Sequence, residues 1–219
     1  MAVKNTKRRE EILTAAYRMF SENQYDQVSL SDIAKAVGIN KSLLQHYYTQ
    51  KIEIVKTMLG ELLETSFTYM EKLTCREDEL FQRISDFNML FFKGVANNYT
   101  LRQFILSSVR HSECLDAWVD TICSWLRCYC GEATFSFRQL KTALVFAMGG
   151  TMHLFIHQDE LDIDYHRFCS VHIRAILALL NYDAPRIEGI IEQTDRRIDQ
   201  IDVAAFLNYC EANIPWLVL

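Results

Sequence analysis

Residues 29–48, SLSDIAKAVGINKSLLQHYY, constrain this chain more than any other stretch, because they encode two short helices and a tight turn between them. Leu30, Ile33, Ala34 and Val37 recur at i, i+3, i+4 and i+7, one apolar face of a helix. Ser29 followed three residues later by Asp32 is a capping-box start, and Gly38 stands where a left-handed residue ends a helix. Asn40 is placed to cap a second helix, whose Ile39, Leu43, Leu44, Tyr47 and Tyr48 face inward or edge the core. Lys41, Ser42, Gln45 and His46 are then left pointing outward. A cation, a hydroxyl, an amide and an imidazole with almost no negative charge suit an element that reaches phosphates and base edges in a major groove. The spacing alone also allows an ordinary helical hairpin with one polar face.

The flanking residues favour the first reading. Upstream, Arg8 and Arg9 precede Ile12, Leu13, Ala16 and Phe20, an amphipathic helix running to about Asn23. Downstream, Thr49 is placed to cap a fourth helix with Lys51 in its first turn. From Lys7 to about Leu59 the chain resembles the DNA-binding domain of TetR-family transcriptional repressors. The stretch RREEILTAAYRMFSENQY is similar to that family's first helix, and SLSDIAKAVGINKSLLQHYYTQK to its helix-turn-helix with the start of helix four. There are departures: Gln45 stands where the family usually has an aromatic, Ser42 where glycine is common, and Ile52 where an acidic residue is usual. The residues and the resemblance together nominate Ser29, Lys41, Ser42, Leu43, Gln45, His46, Tyr47 and Lys51 as DNA-binding residues. The resemblance further implies a homodimer on a palindromic operator in double-stranded DNA, acting as a repressor released by a small effector.

Half of the 219 residues are hydrophobic, enough for one sizeable core and a small satellite domain. Two prolines, seven glycines, long helical periodicities and no alternating strand runs predict an all-α chain. The expected division is a helix-turn-helix unit of three helices at 1–50 and a larger helical unit at 51–219 for effector binding and dimerisation. The polar, basic N-terminus does not resemble a signal peptide, and the apolar run from Leu144 to Ile156 is too short and interrupted to span a bilayer. A cytoplasmic protein with no membrane partner is expected. The net charge of −5 is unevenly placed: residues 1–56 carry nine positive and six negative side chains, the remainder fourteen and twenty-two. Any attraction for phosphates is therefore concentrated at one end. Seven cysteines without paired spacing, Cys128 and Cys130 included, read as free thiols in a reducing compartment, by default buried.

Beyond a long helix at Lys51–Leu73, helices are predicted at about Asp78–Asn97, Thr100–His111, Glu113–Tyr129, Phe137–His157 and Asp164–Leu180. A weaker pair follows near Arg186–Gln193 and Asp199–Ala212, with Pro185 suited to a first helical turn. Ala147, Gly149, Gly150 and Thr151 would let another helix approach closely, and Ile173, Ile176, Leu177 and Leu180 recur at helical spacing. Two such helices from each subunit would make a four-helix dimer interface; the glycine pair could equally mark a kink or a pocket wall. For an apolar effector the candidates are Phe87, Asn88, Phe91, Phe92, Phe104, His111, Trp118, Trp125, Met148 and Met152, with Arg102 and His153 as further polar anchors. Aromatic and Met side chains at this spacing also describe an ordinary core.

Two other classes compete. His153 and His157 lie four apart, and His111 and Cys114 three apart, so a metal-sensing regulator of the same fold is an alternative, although no metal or cofactor is expected. An enzyme is not expected: neither H-E-x-x-H nor paired Glu-x-x-His spacing occurs, no G-x-S-x-G elbow is present, and nothing activates the thiol of the Cys169–His172 pair. A helical adaptor that binds protein through apolar grooves is the remaining reading, and the basic, capped helix-turn-helix weighs against it.

Overall fold

The computed structural model describes residues 2–73, 80–127 and 135–218. The chain is all-α, with no strand among the described residues. Its helices are α1 (Ala2–Glu22), α2 (Leu30–Ala36), α3 (Lys41–Gln45), α4 (Lys51–Leu73), α5 (Leu80–Ala96) and α6 (Tyr99–Val109), with a 3₁₀ turn at Tyr25–Gln27. They continue as α7 (Ser112–Leu126), α8 (Phe137–Ile156), α9 (Tyr165–Leu179), α10 (Ala184–Ile198) and α11 (Val203–Asn213). The sequence-expected helix limits at Asp78 and Tyr129, and the cysteines Cys128 and Cys130, lie outside the described residues. None of the helices described is long and apolar enough to cross a membrane.

Local chemistry sets most of the boundaries. Asn98, Ser136, Asp164 and Asp183 each accept a backbone N–H in the first turn of the helix that follows, satisfying donors a helix start leaves open. Pro185 occupies the first turn of α10, where its missing N–H costs no bond. That helix runs on to Ile198, beyond the expected Gln193, because Ile187, Ile190, Ile191, Thr194 and Ile198 continue one buried face. Asp202 then caps α11, so the break falls after Ile198 and the last helix begins four residues later than expected.

Helix α5 is the axis of the larger unit, touching α4, α6, α9, α10 and α11. It is buried almost all round, including the polar Gln82, Ser85 and Asp86. A fully buried carboxylate needs a cationic or hydrogen-bonding partner, and α10 supplies both. Arg197 Nη1 donates to Asp86 Oδ2 at 2.9 Å, Thr194 Oγ1 lies 2.8 Å from Asp86 Oδ1, and Gln82 Nε2 donates to that same Oδ1 at 2.8 Å. On another side α11 approaches so closely that a Cβ placed on Gly94 would lie 2.8 Å from Cε1 of Phe206. Glycine is required there by the approach rather than by a turn.

The apolar stripes of α8 and α9 differ from expectation. Ile173, Ile176, Leu177 and Leu180, expected to face a partner subunit, are buried within the chain against α5 and α8. What faces outward is a different set: Val145 and Phe146 on α8, exposed by 51% and 69%, with Gly149 and Gly150, and Val171 and Leu179 on α9. Periodicity shows that a stripe exists but does not say which neighbour covers it. Between the two helices Thr151 Oγ1 donates to Ala147 O at 2.6 Å and lies 2.7 Å from His172 Nδ1. With its own proton committed, Thr151 can only accept from the ring, so Nδ1 of His172 carries the hydrogen.

Candidate nucleic-acid interface

The first three helices and the start of α4 form a unit around Ile12, Leu13, Ala16, Phe20, Ile33 and Leu44. Ser29 and Asp32 cap α2 reciprocally: Asp32 N donates to Ser29 Oγ at 3.2 Å and Ser29 N to Asp32 Oδ2 at 2.9 Å. These bonds hold the Asp32 carboxyl below the usual carboxylate range, the Ser29 hydroxyl contributing most. Gly38 turns the chain with φ +68°, in the region a Cβ disfavours, and Asn40 Oδ1 accepts Leu43 N at 2.7 Å to start α3. The start of α4 is held differently from expectation. Glu53 reaches back to accept the backbone N–H groups of Thr49 and Gln50 at 2.6 and 3.2 Å, and the Thr49 hydroxyl serves that same carboxylate.

This scaffold presents Lys41, Ser42, Gln45 and His46 to solvent together. Leu43 joins them with 41% exposure, although its spacing had placed it toward the core. The turn geometry leaves Leu44, fully buried, as the anchor of α3, and Tyr47 lies half-buried against the core. Ser29 is exposed, with its hydroxyl engaged in the cap.

Lys51 does not stand as a free cation at the start of α4. Its ammonium turns inward, donating to Tyr25 O at 2.7 Å and Val28 O at 2.8 Å, and lies 3.9 Å from the centroid of the Tyr25 ring. Burial lowers its pKa, against the opposing pull of Asp26. With both carbonyls flanking the 3₁₀ turn accepting from its ammonium, Lys51 ties α4 to the α1–α2 connection.

The nominated effector residues separate into groups. Phe91 and Phe92 pack on Trp118 with ring centroids 5.8 and 6.4 Å apart, and Phe92 also meets Phe155 and Phe168. Phe87 and Trp125 stack on either side of Phe67 at 3.8 and 3.7 Å. Met148 and Met152 are buried. Asn88 Nδ2 and Trp118 Nε1 are buried donors without a hydrogen-bond partner among the described residues. Phe104 belongs elsewhere, against Tyr17 of α1 and Trp216 beyond α11. His111 also leaves this group, since its ring lies 4.8 Å from that of Tyr25 and its Nδ1 3.5 Å from Asp26 Oδ1. Of the further anchors, Arg102 is held by both oxygens of Asp159 and His153 is exposed beside His157. An open groove of about 970 Å³ between α1 and residues 215–218 is lined by none of the nominated effector residues.

The two metal-spaced pairs are used differently. Cys114 is buried, which raises its thiol pKa to about 12, and His157 Nδ1 faces Glu160 at 3.1 Å. No group of three or more His, Cys, Asp or Glu that could hold a metal occurs among the described residues. The Cys169–His172 pair is no activated nucleophile: burial pushes the thiol well up and the imidazole down to about 4, and His172 Nδ1 faces Thr151 instead. Cys114, Cys123, Cys169 and Cys210 are buried free thiols.

Sequence reasoning also missed a contact relay. Trp216 Nε1 donates to Glu61 Oε2 at 2.6 Å, Arg9 Nη2 donates to Glu61 Oε1 at 2.8 Å, and Arg9 Nε donates to the Tyr48 hydroxyl at 3.0 Å. No local pattern links residues 155 positions apart, and an isolated tryptophan in a short apolar segment is the only trace it leaves.

Comparison with known proteins agrees with this geometry. Residues 12–58 match the family described as bacterial regulatory proteins, tetR family. The chain is 22% identical over 129 residues to the HTH-type transcriptional repressor KstR2 of Mycolicibacterium smegmatis, covering 52% of this chain and 63% of that protein. It is 31% identical over 87 residues to IcaR of Staphylococcus epidermidis, the HTH-type negative transcriptional regulator of the biofilm operon icaADBC, covering 40% and 45%. The match thus spans less than two thirds of either relative, and both are regulators rather than enzymes. In fold, a TetR-family regulator from Streptomyces coelicolor A3 superposes with a TM-score of 0.57 at 19% identity, over 81% of this chain and 96% of that one. Residues 12–58 thus match the tetR family of bacterial regulatory proteins, and the chain as described shares the fold of a solved TetR-family regulator.

Proposed function

We propose that this chain is a homodimeric transcriptional repressor that binds a palindromic operator and is released by a small, largely apolar effector. The observation that carries the reading is the outward Lys41, Ser42, Gln45 and His46 on and just after a helix whose start is capped by Asn40 and set by the left-handed Gly38. Residues 1–50 form the DNA-binding unit, and 51–219 the effector-binding and dimerisation unit. Two copies of α3 enter successive major grooves roughly 34–36 Å apart. The exposed Val145, Phe146, Val171 and Leu179, with the open space around Gly149 and Gly150, support a second copy as the partner of α8 and α9. The unsatisfied donors of Asn88 and Trp118 support an effector that is apolar over most of its surface and offers a hydrogen-bond acceptor. It acts by preferring a conformer in which α4 holds the two α3 helices at the wrong separation, with about 1–3 kcal/mol of differential binding. The site of action is the cytoplasm, where the DNA is.

Titration of an operator selected from random DNA, at several salt concentrations, tests the assignment. Lys41→Ala is expected to flatten the salt dependence by about one unit, because a phosphate contact is lost. Gln45→Ala is expected to relax discrimination at one base pair by about 1–3 kcal/mol. Lys51→Ala is expected to lower stability by about 2 kcal/mol, since two charge-assisted bonds are lost, and to leave the salt slope unchanged. Wild-type affinity and slope in both α3 variants would remove α3 from the interface.

A further inference from the structure

The segment that follows α11 does more than fill space. Ile214, Trp216 and Leu217 are buried, and Leu217 N donates to Ile214 O at 3.0 Å, a turn that directs the indole inward. The Trp216 ring meets Tyr17 of α1 at 5.4 Å and Phe104 of α6 at 6.4 Å, while its N–H reaches Glu61 in the middle of α4. One side chain therefore touches three helices, two of which, α4 and α6, belong to the larger unit. The Glu61 carboxylate uses one oxygen for the indole and the other for Arg9, and Arg9 passes the contact on to the hydroxyl of Tyr48. Tyr48 is buried three residues beyond the end of α3, and its backbone is tied to that helix by Tyr48 N donating to Leu44 O at 3.0 Å.

We infer that Trp216 is a positioning residue for DNA binding, fixing through Glu61, Arg9 and Tyr48 the angle at which α3 leaves the rest of the molecule. The inference rests on α3 being the recognition helix. Its chemistry is specific: a charge-assisted indole bond and an Arg–carboxylate pair are short and directional, so they set an orientation that apolar packing alone would leave loose. Trp216 contacts no DNA in this scheme.

Two conservative variants separate the relay from simple packing. Trp216→Phe keeps an aromatic ring against Tyr17 and Phe104 and deletes the N–H; Glu61→Gln keeps the volume and removes the charge. Each is measured by amide hydrogen exchange, without DNA, and by titration of the selected operator at several salt concentrations. The expected result is exchange about fivefold or more faster across α1–α3, with α8 and α9 unchanged, and operator affinity lowered by a similar factor at an unaltered salt slope. The double variant should be no worse than the poorer single one, because both break the same relay. Unchanged exchange in α1–α3, or one uniform acceleration over every helix, would overturn the inference. Should the wild-type chain bind no DNA, the repressor reading fails, and the exchange measurement decides the relay independently.

Discussion

Acid should weaken this protein through one histidine, and the size of the effect follows from where that histidine sits. His172 is buried on α9, its ring stacked 6.3 Å from Phe168, with Nδ1 2.7 Å from Thr151 Oγ1. Burial lowers its pKa to about 4. In the unfolded chain a histidine titrates near ~6.5, so between those values the unfolded state binds a proton that the folded state refuses. The stability this neutral ring contributes is complete above pH ~6.5 and is lost as pH falls toward 4. The gap corresponds to about 3 kcal/mol, with a slope near 1.4 kcal/mol per pH unit in mid-window.

Denaturant unfolding at pH values from 7.5 to 4, on the wild type and on His172→Asn, isolates the effect. Asparagine keeps a donor that can face Thr151 but cannot titrate. The variant carries a penalty for lost ring volume that does not change with pH. The other five histidines are common to both proteins, so whatever they contribute cancels in the difference. The two curves should therefore converge by about 3 kcal/mol on acidification. Parallel curves, or an imidazole that titrates near 6.5 in the folded wild type, would refute the argument.

What could be read from the sequence was local. Ser29 with Asp32, Gly38, Asn40, Asp164 and Pro185 act within three or four residues of themselves, and each does in the structure what its chemistry required. The start of α4 at Lys51 was legible too, although Glu53 rather than Thr49 is the acceptor that holds it. Side-chain direction at contacts between distant segments was not. A lysine at a helix start looks like a phosphate ligand until the carbonyls of Tyr25 and Val28, 26 and 23 residues earlier, close on it. The Ile173–Leu180 stripe was visible as a stripe, but only the packing of α9 against α5 and α8 shows that it is spent inside the subunit. Phe104 and His111 looked like members of one aromatic set, yet each turns toward the DNA-binding unit, because α6 lies along α1 and the turn after α6 meets Tyr25.

The remaining predictions concern how helices meet. Phe146→Glu should weaken self-association by at least about 2 kcal/mol, seen by sedimentation, while leaving subunit stability within about 0.5 kcal/mol, since the ring is 69% exposed in the single chain. Equal association in the variant would move the interface away from α8. Gly94→Ala places a methyl 2.8 Å from Phe206 Cε1 and 3.2 Å from its Cδ1, so the Phe206 ring or α11 itself must shift. Overpacking of this kind costs about 1–3 kcal/mol, and the better helix propensity of alanine returns at most about 1, leaving a net loss in denaturant unfolding. Combining it with Phe206→Leu, which shortens the obstructing side chain, should recover part of the loss relative to the sum of the single changes. Strict additivity would mean that the two residues do not meet and that α11 is not seated on α5 as described.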